Sequence, residues 1–161
     1  ATTRTNRIMA DLTVNINENI TLNNQIIEHS DTKIISGIGE ISKRVLTITT
    51  NEAEIATFSG AVASSGHYND SAVRYMRFTN LDSTNHITLT FRNSANDEVA
   101  IKLDAKNSFM LYADNDAGMV GVFNATQAAD AASDTALGSL TNIQADAGAS
   151  TCDLEMFIAS T

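Results

Sequence analysis

The sequence predicts an all-β chain: a single antiparallel β-sandwich, jelly-roll-like, of about nine or ten strands. Three observations predict it. Residues 72–113, AVRYMRFTNLDSTNHITLTFRNSANDEVAIKLDAKNSFMLYA, hold four successive runs in which apolar and polar residues alternate. Met76 and Phe78 share a parity, as do Ile87, Leu89 and Phe91, then Val99, Ile101 and Leu103, then Phe109 and Leu111. A period of two puts such residues on one face of a pleated strand and leaves the other face to water. The breaks between runs, LDSTN, NSANDE and DAKN, are rich in Asn, Asp and Ser, whose side chains make local turns. Finally, no stretch carries a strong helical pattern, and proline is absent, so Asn, Asp and the eight glycines must make the turns. Read along the chain, the four runs form an antiparallel meander with one wet face.

Residues 1–10 lack alternation and are expected to be a flexible arm whose only charges are Arg4 and Arg7. The domain then occupies residues 11–161. Leu12, Val14 and Ile16 open the first strand, NINEN breaks it, and LNNQII reads as a hairpin turning at Asn23 and Asn24. A further strand covers Thr32 to Ile35, and Gly37 and Gly39 mark a bend or bulge. Ile41 leads into Leu46 and Ile48 on the next strand, where Lys43 and Arg44 read as a solvated face or a protected edge. EAEIATF is a short strand. The small, polar segment 60–71, with His67 and Tyr68, is a loop long enough to be functional. Beyond the four central runs, a strand is expected around Val120 and Val122, and an Ala-rich excursion at 125–140. LTNIQADAGAS is a weak strand and a turn, and TCDLEMFIAS closes the chain with Cys152, Leu154, Met156 and Ile158 inward. The expected core is Val14, Ile16, Leu46, Ile48, Met76, Phe78, Ile87, Leu89, Phe91, Ile101, Leu103, Leu154 and Met156.

Composition narrows the function classes. Ten basic against nineteen acidic residues give a net charge of −9, which argues against a nucleic-acid partner, since such affinity comes from clustered Lys and Arg. No apolar run approaches the ~20 residues of a membrane helix, and no signal peptide is read at the start. The single cysteine, Cys152, keeps the parity of buried neighbours and reads as a core thiol. His29, His67 and His86 are isolated, without metal-ligand spacing. DNDAG at 114–118 fails the calcium-loop pattern, because position twelve is Ala125. No nucleophile elbow or phosphate loop occurs, and Glu52 with Glu54, or Asp97 with Glu98, read as solvated turn carboxylates. No enzymatic activity, metal or cofactor is expected.

VRYMRFTNLDSTNHITLTF followed by IKLDAKNSFMLYA resembles the small β-sandwich virion proteins of tailed, marine-type bacteriophages. The tyrosine strand ending in a Thr-Asn turn is Val73 to Asn80, the LD-x-x-N hairpin is Leu81 to Asn85, and the K-L-x-A-x-x-S-F element is Lys102 to Phe109. LTVNINENITLN and EISKRVLTIT are similar in character, so the resemblance spans about Leu12 to Ala113. One departure is DAKNSF, where similar chains often place a Gly ahead of the Ser. The resemblance implies a non-enzymatic capsid decoration or cement protein at the virion surface. Its implied partners are the major capsid protein and further copies of itself, as in a trimer, a number the sequence does not set. Arg4, Arg7, His67 and Tyr68 are the candidate partner-binding residues. Two alternatives stand beside this reading: a tail or fibre component, and a carbohydrate-binding jelly-roll module.

Overall fold

A computed structural model describes residues 9–62, 64–94, 96–113 and 140–161. Eleven strands appear among them: β1 (Ala10–Leu22), β2 (Gln25–Ile38), β3 (Glu40–Ile48), β4 (Ala53–Ser59), β5 (His67–Asn69), β6 (Val73–Asn80), β7 (Ile87–Asn93), β8 (Glu98–Leu103), β9 (Ser108–Tyr112), β10 (Leu140–Ala147) and β11 (Cys152–Ser160). Arg4, Arg7, the strand expected at Val120 and Val122, and most of the Ala-rich excursion lie outside the described residues. Leu140, the last residue of that excursion, instead opens β10.

Two sheets make the sandwich. One has the order β3-β11-β6-β9, the other β5-β4-β10-β7-β8. With β5 set aside, eight strands form two four-stranded antiparallel sheets in the order of a jelly roll, the chain crossing between sheets at every step except the β7–β8 hairpin. The core lies between them. Met76, Phe78, Ile87, Leu89, Leu154 and Met156 are almost completely enclosed, and Phe91 touches Phe78 and Phe109 edge-on at centroid distances of 6.1 and 5.7 Å. Leu46 and Ile101 pack against this core from its margins.

Residues 72–113 do not form a single meander. β6 pairs with β9 in one sheet, while β7 pairs with β8 in the other. Alternation says which side chains share a face, and it is silent on which strands pair. The crossing occurs at Leu81–His86. There buried Asn80 donates from Nδ2 to the carbonyls of Asn85 (2.8 Å) and Leu103 (3.1 Å). Asp82 then accepts from the backbone N–H groups of Thr84 and Asn85, both at 2.7 Å. Val99 is a related correction: it shares parity with Ile101 and Leu103 but stands 62% exposed near the start of edge strand β8.

The first strands are longer than expected. NINEN does not break β1, and the strand expected at Thr32–Ile35 is one portion of β2. Together they form a separate two-stranded ribbon, in register from Leu12↔Ile35 to Leu22↔Gln25. Asn23 and Asn24 make the bend with φ of 51° and 61°, the two left-handed residues of a two-residue hairpin loop. The ribbon's base covers the outer face of the first sheet: Ile35 and Ile38, with Leu12 and Val14, enclose Tyr75, Ala159 and Phe157 in a second small core. Ile16, expected inside, is 38% exposed because the ribbon has by then left the sheet.

Candidate binding surfaces

His67 and Tyr68 are brought together with other polar groups, although not as plain loop residues. They belong to β5, a three-residue strand that runs parallel to β4 with Thr57↔His67 and Phe58↔Tyr68. The turn before it is closed by His67 N–H to Ser64 O (3.0 Å) and Thr57 N–H to Gly66 O (2.9 Å), with Gly66 at φ +89°. Phe58 lies against the Tyr68 ring at 5.8 Å and steadies it. Between β5 and edge strand β3 opens a cleft of about 480 Å³ that also takes in Glu40, Ser42 and Ser65. Ser42 Oγ and Tyr68 OH are 3.0 Å apart across it. Its polar side chains are hydroxyls, one imidazole, one carboxamide (Asn69) and one carboxylate, suited to hydrogen bonding. Among the described residues no hydrogen bond joins His67 to the hydroxyl of Ser64 or Ser65, the arrangement an activated serine needs.

Arg44 corrects the expectation of a solvated cation. β3 turns Ser42, Arg44, Leu46 and Ile48 inward by parity, so Arg44 lines the gap between the sheet edges alongside Glu54 and Ile55. Its Nη1 is enclosed without a hydrogen-bond partner among the described residues. Lys43 does face outward, 3.1 Å from Glu155, which also accepts from Arg77 Nη2 at 2.6 Å.

The other candidate groups are dispersed. His29 is on the ribbon opposite Glu18, and His86 lies at the far turn against Gly148, where an added Cβ would come within 2.2 Å of the ring. Among the described residues no group of three His, Cys, Asp or Glu could hold a metal ion. Cys152 is 2% exposed, and burial pushes its thiol pKa up, with Asp82 and Asp153 adding to the effect. Its Sγ–H donates to Ser150 O at 3.3 Å, a core thiol as expected. Arg92 forms an ion pair with Glu98, and Asp97 accepts from Asn93 Nδ2 at 3.1 Å, so both carboxylates serve their turn.

The ribbon is the surface that sequence reasoning missed. Opposed residues of two paired strands point to the same side, so one face carries Asn15–Thr32, Asn17–Ser30 and Asn19–Glu28, with the exposed Ile34 and Ile26 at its two ends. Each of these pairs is hydrogen bonded through its side chains, at 2.8, 2.8 and 2.7 Å. The opposite face carries Leu12, Val14, Ile16, Ile20, Leu22, Ile27 and Ile35, an apolar stripe interrupted by Glu18, His29, Asp31 and Lys33. The inner part of the stripe is covered by the sheet. The outer part is bare: Ile20 is 54% exposed, Leu22 and Ile27 each 58%. With Ile16 these leave on the order of 400 Å² of apolar surface, within the range of the largest patch on a typical monomer, which is often a functional one. From Asp31 to Asn24 the overhang measures about 25 Å at roughly 3.3 Å per residue.

Compared with family models, with curated proteins and with solved structures, the chain finds no match.

Proposed function

We propose that this chain is a non-enzymatic structural subunit of a virion, a decoration or cement protein that binds the outer capsid shell and stabilises it. The observation that carries this reading is the β1–β2 ribbon, which places bare apolar residues beyond the body of the jelly roll. An isolated two-stranded ribbon is at best marginally stable in water. An apolar face held out on one is therefore a surface kept for another protein. The jelly roll behind it is an architecture used in capsid domains, and the resemblance of Leu12 to Ala113 to phage virion proteins points the same way. In this reading the sandwich is a spacer, the arm with Arg4 and Arg7 reaches the major capsid protein, and the site of action is the capsid surface.

The β5 cleft favours a second reading, a carbohydrate-binding module, because jelly rolls also serve as lectins and the cleft offers Ser42, His67 and Tyr68 to a polyol. Adding the folded protein to shells that lack it, then sedimenting them, tests the first reading. Saturable co-sedimentation with a higher shell melting temperature is the expected outcome. Density on the tail would move the assignment to a tail or fibre component. Absence from particles, together with saturable binding on a glycan array that is lost in Tyr68→Phe, would move it to the carbohydrate reading.

A further inference from the structure

The outer face of the first sheet carries a straight row of residues across all four strands. Ile41 of β3 pairs with Ala159 of β11, Ala159 with Tyr75 of β6, and Tyr75 with Tyr112 of β9. The ribbon lies along this row. Its base covers Ala159 and Tyr75, and Lys33, farther out, sits over the Tyr112 ring at 6.0 Å. Beyond Lys33, which stands over edge strand β9, the stripe residues Ile16, Ile20, Leu22 and Ile27 are exposed, and by register they share the face that the base turns to the sheet. At the other end of the row Ile41 is bare, 57% exposed, with Lys43 beside it at 58% side-chain exposure. The sheet thus has an overhanging apolar flap at one edge and an uncovered apolar position at the other, on the same face and at the same level.

We infer that the occupant of the ribbon's bare face is a second copy of this chain, joined head to tail: the ribbon of one copy laps over the β3 edge of the next and covers its Ile41. Three features support that partner. The first is shape, because a ribbon continued in its own line onto a neighbour set edge to edge arrives at the Ile41 end of that neighbour's row. Charge is the second. The bare stripe contains Glu18 and Asp31, and on the receiving face Lys43 and Arg77 share the single carboxylate of Glu155, which leaves that cluster with one positive charge in excess. The third is sheet polarity. Three antiparallel steps separate β3 from β9, so β9 runs opposite to β3 and a neighbour's β3 beside it makes one more antiparallel pair. Among the described residues both strands are sheet edges, and the backbone N–H and C=O groups of an edge template such pairing. A contact between two different surfaces of one chain repeats, giving a ring if the rotation closes and an open filament if it does not.

This inference rests on the structural-subunit reading, and its test separates the two. Sedimentation of the pure full chain over a wide concentration range is expected to show a mass above one chain. Ile20→Thr/Ile27→Thr strips the flap and Ile41→Glu blocks the receiver, both at exposed strand positions that leave the core intact. Each should weaken association by roughly tenfold or more, with unchanged far-ultraviolet dichroism and sandwich melting. Mixed, the two variants should recover a one-to-one pair, because each retains the surface the other has lost. A chain monomeric at every concentration overturns the inference, and so does Ile41→Glu that associates like the parent, since the ribbon would then dock elsewhere. A monomer that still decorates shells leaves the capsid reading standing without this interface. An oligomer obeying the mixing rule but ignoring every particle leaves the interface standing without the capsid reading.

Discussion

Ile20 of β1 faces Ile27 of β2 directly across the ribbon, and the two side chains share one face while both stay more than half exposed. A cross-strand isoleucine pair of this kind stabilises a ribbon modestly. In the free chain it covers neither residue, so the pair contributes most when something is laid over it.

The bend at Asn23 and Asn24 sets the register of that pair. Both residues are left-handed, a conformation that costs a β-branched residue about 1–2 kcal/mol. Asn24→Val is expected to fray β1 and β2, and Asn24→Gly to preserve them. Hydrogen exchange should show fast amides from Asn17 to Ser30 in the valine variant alone, with the sandwich amides unaffected.

Leu89 and Ile16 were both expected in the core, and only Leu89 is there, at 0% exposure against 38%. Leu89→Ala should lower the unfolding free energy by about 2–5 kcal/mol, the range for a buried leucine. Ile16→Ala should change it by less than about 0.5 kcal/mol, as for other surface sites. Denaturant melts of the two variants distinguish these placements.

Asn80 holds the crossing between sheets. Its Nδ2 donates to two carbonyls, and its Oδ1 accepts from the Asp82 N–H at 3.0 Å. Asn80→Leu would leave these groups unpaired in a dry setting at about 1–3 kcal/mol for each buried one. A loss of at least about 2 kcal/mol by chemical denaturation is the expected outcome, and a neutral substitution would show that water replaces the amide there.

Asp82 has its carboxyl pKa held below the usual 3.8, first by the Asn85 N–H and then by that of Thr84. A depressed folded-state pKa means that unfolding takes up protons. The carboxylate's contribution is therefore complete above the unfolded value and is lost as the pH falls through the folded one. Stability should decline from about pH 4 downward. Asp82→Asn, which keeps an acceptor oxygen and removes the titration, should flatten that decline in melts at pH 2–4, while Asp82→Ala should be weaker at every pH.

Cys152 is the opposite case. Burial first, then Asp82 and Asp153, push its thiol up, so the neutral form is the stable one in the fold. Its contribution is present below the unfolded pKa and is lost as the pH rises through the folded one. Alkylation by iodoacetamide at pH 8 is expected to be slow in the folded chain and rapid in denaturant. Fast labelling of the native protein would place the thiol at the surface.

Period-two alternation determined the strand class, the inward parity and most of the core, because backbone pleating alone sets which side chains share a face. It made Met76, Phe78, Ile87, Leu89, Leu154 and Met156 legible, and the paired asparagines made the first bend legible. The inward parity of Arg44 was visible too, and its charge obscured it. Sheet partnership was not legible, because β6–β9 and β7–β8 pair over different chain separations with the same alternation. The cleft was not legible either, since His67 and Glu40 are neighbours only through the folded edges of two sheets. Burial on the ribbon was the last thing left to tertiary structure. Leu12 and Ile20 have the same parity in the same strand, yet one lies over Tyr75 and Ala159 while the other overhangs the sheet. Pattern names the face that seeks cover, and only the position of the neighbouring sheet decides how far along the strand that cover extends.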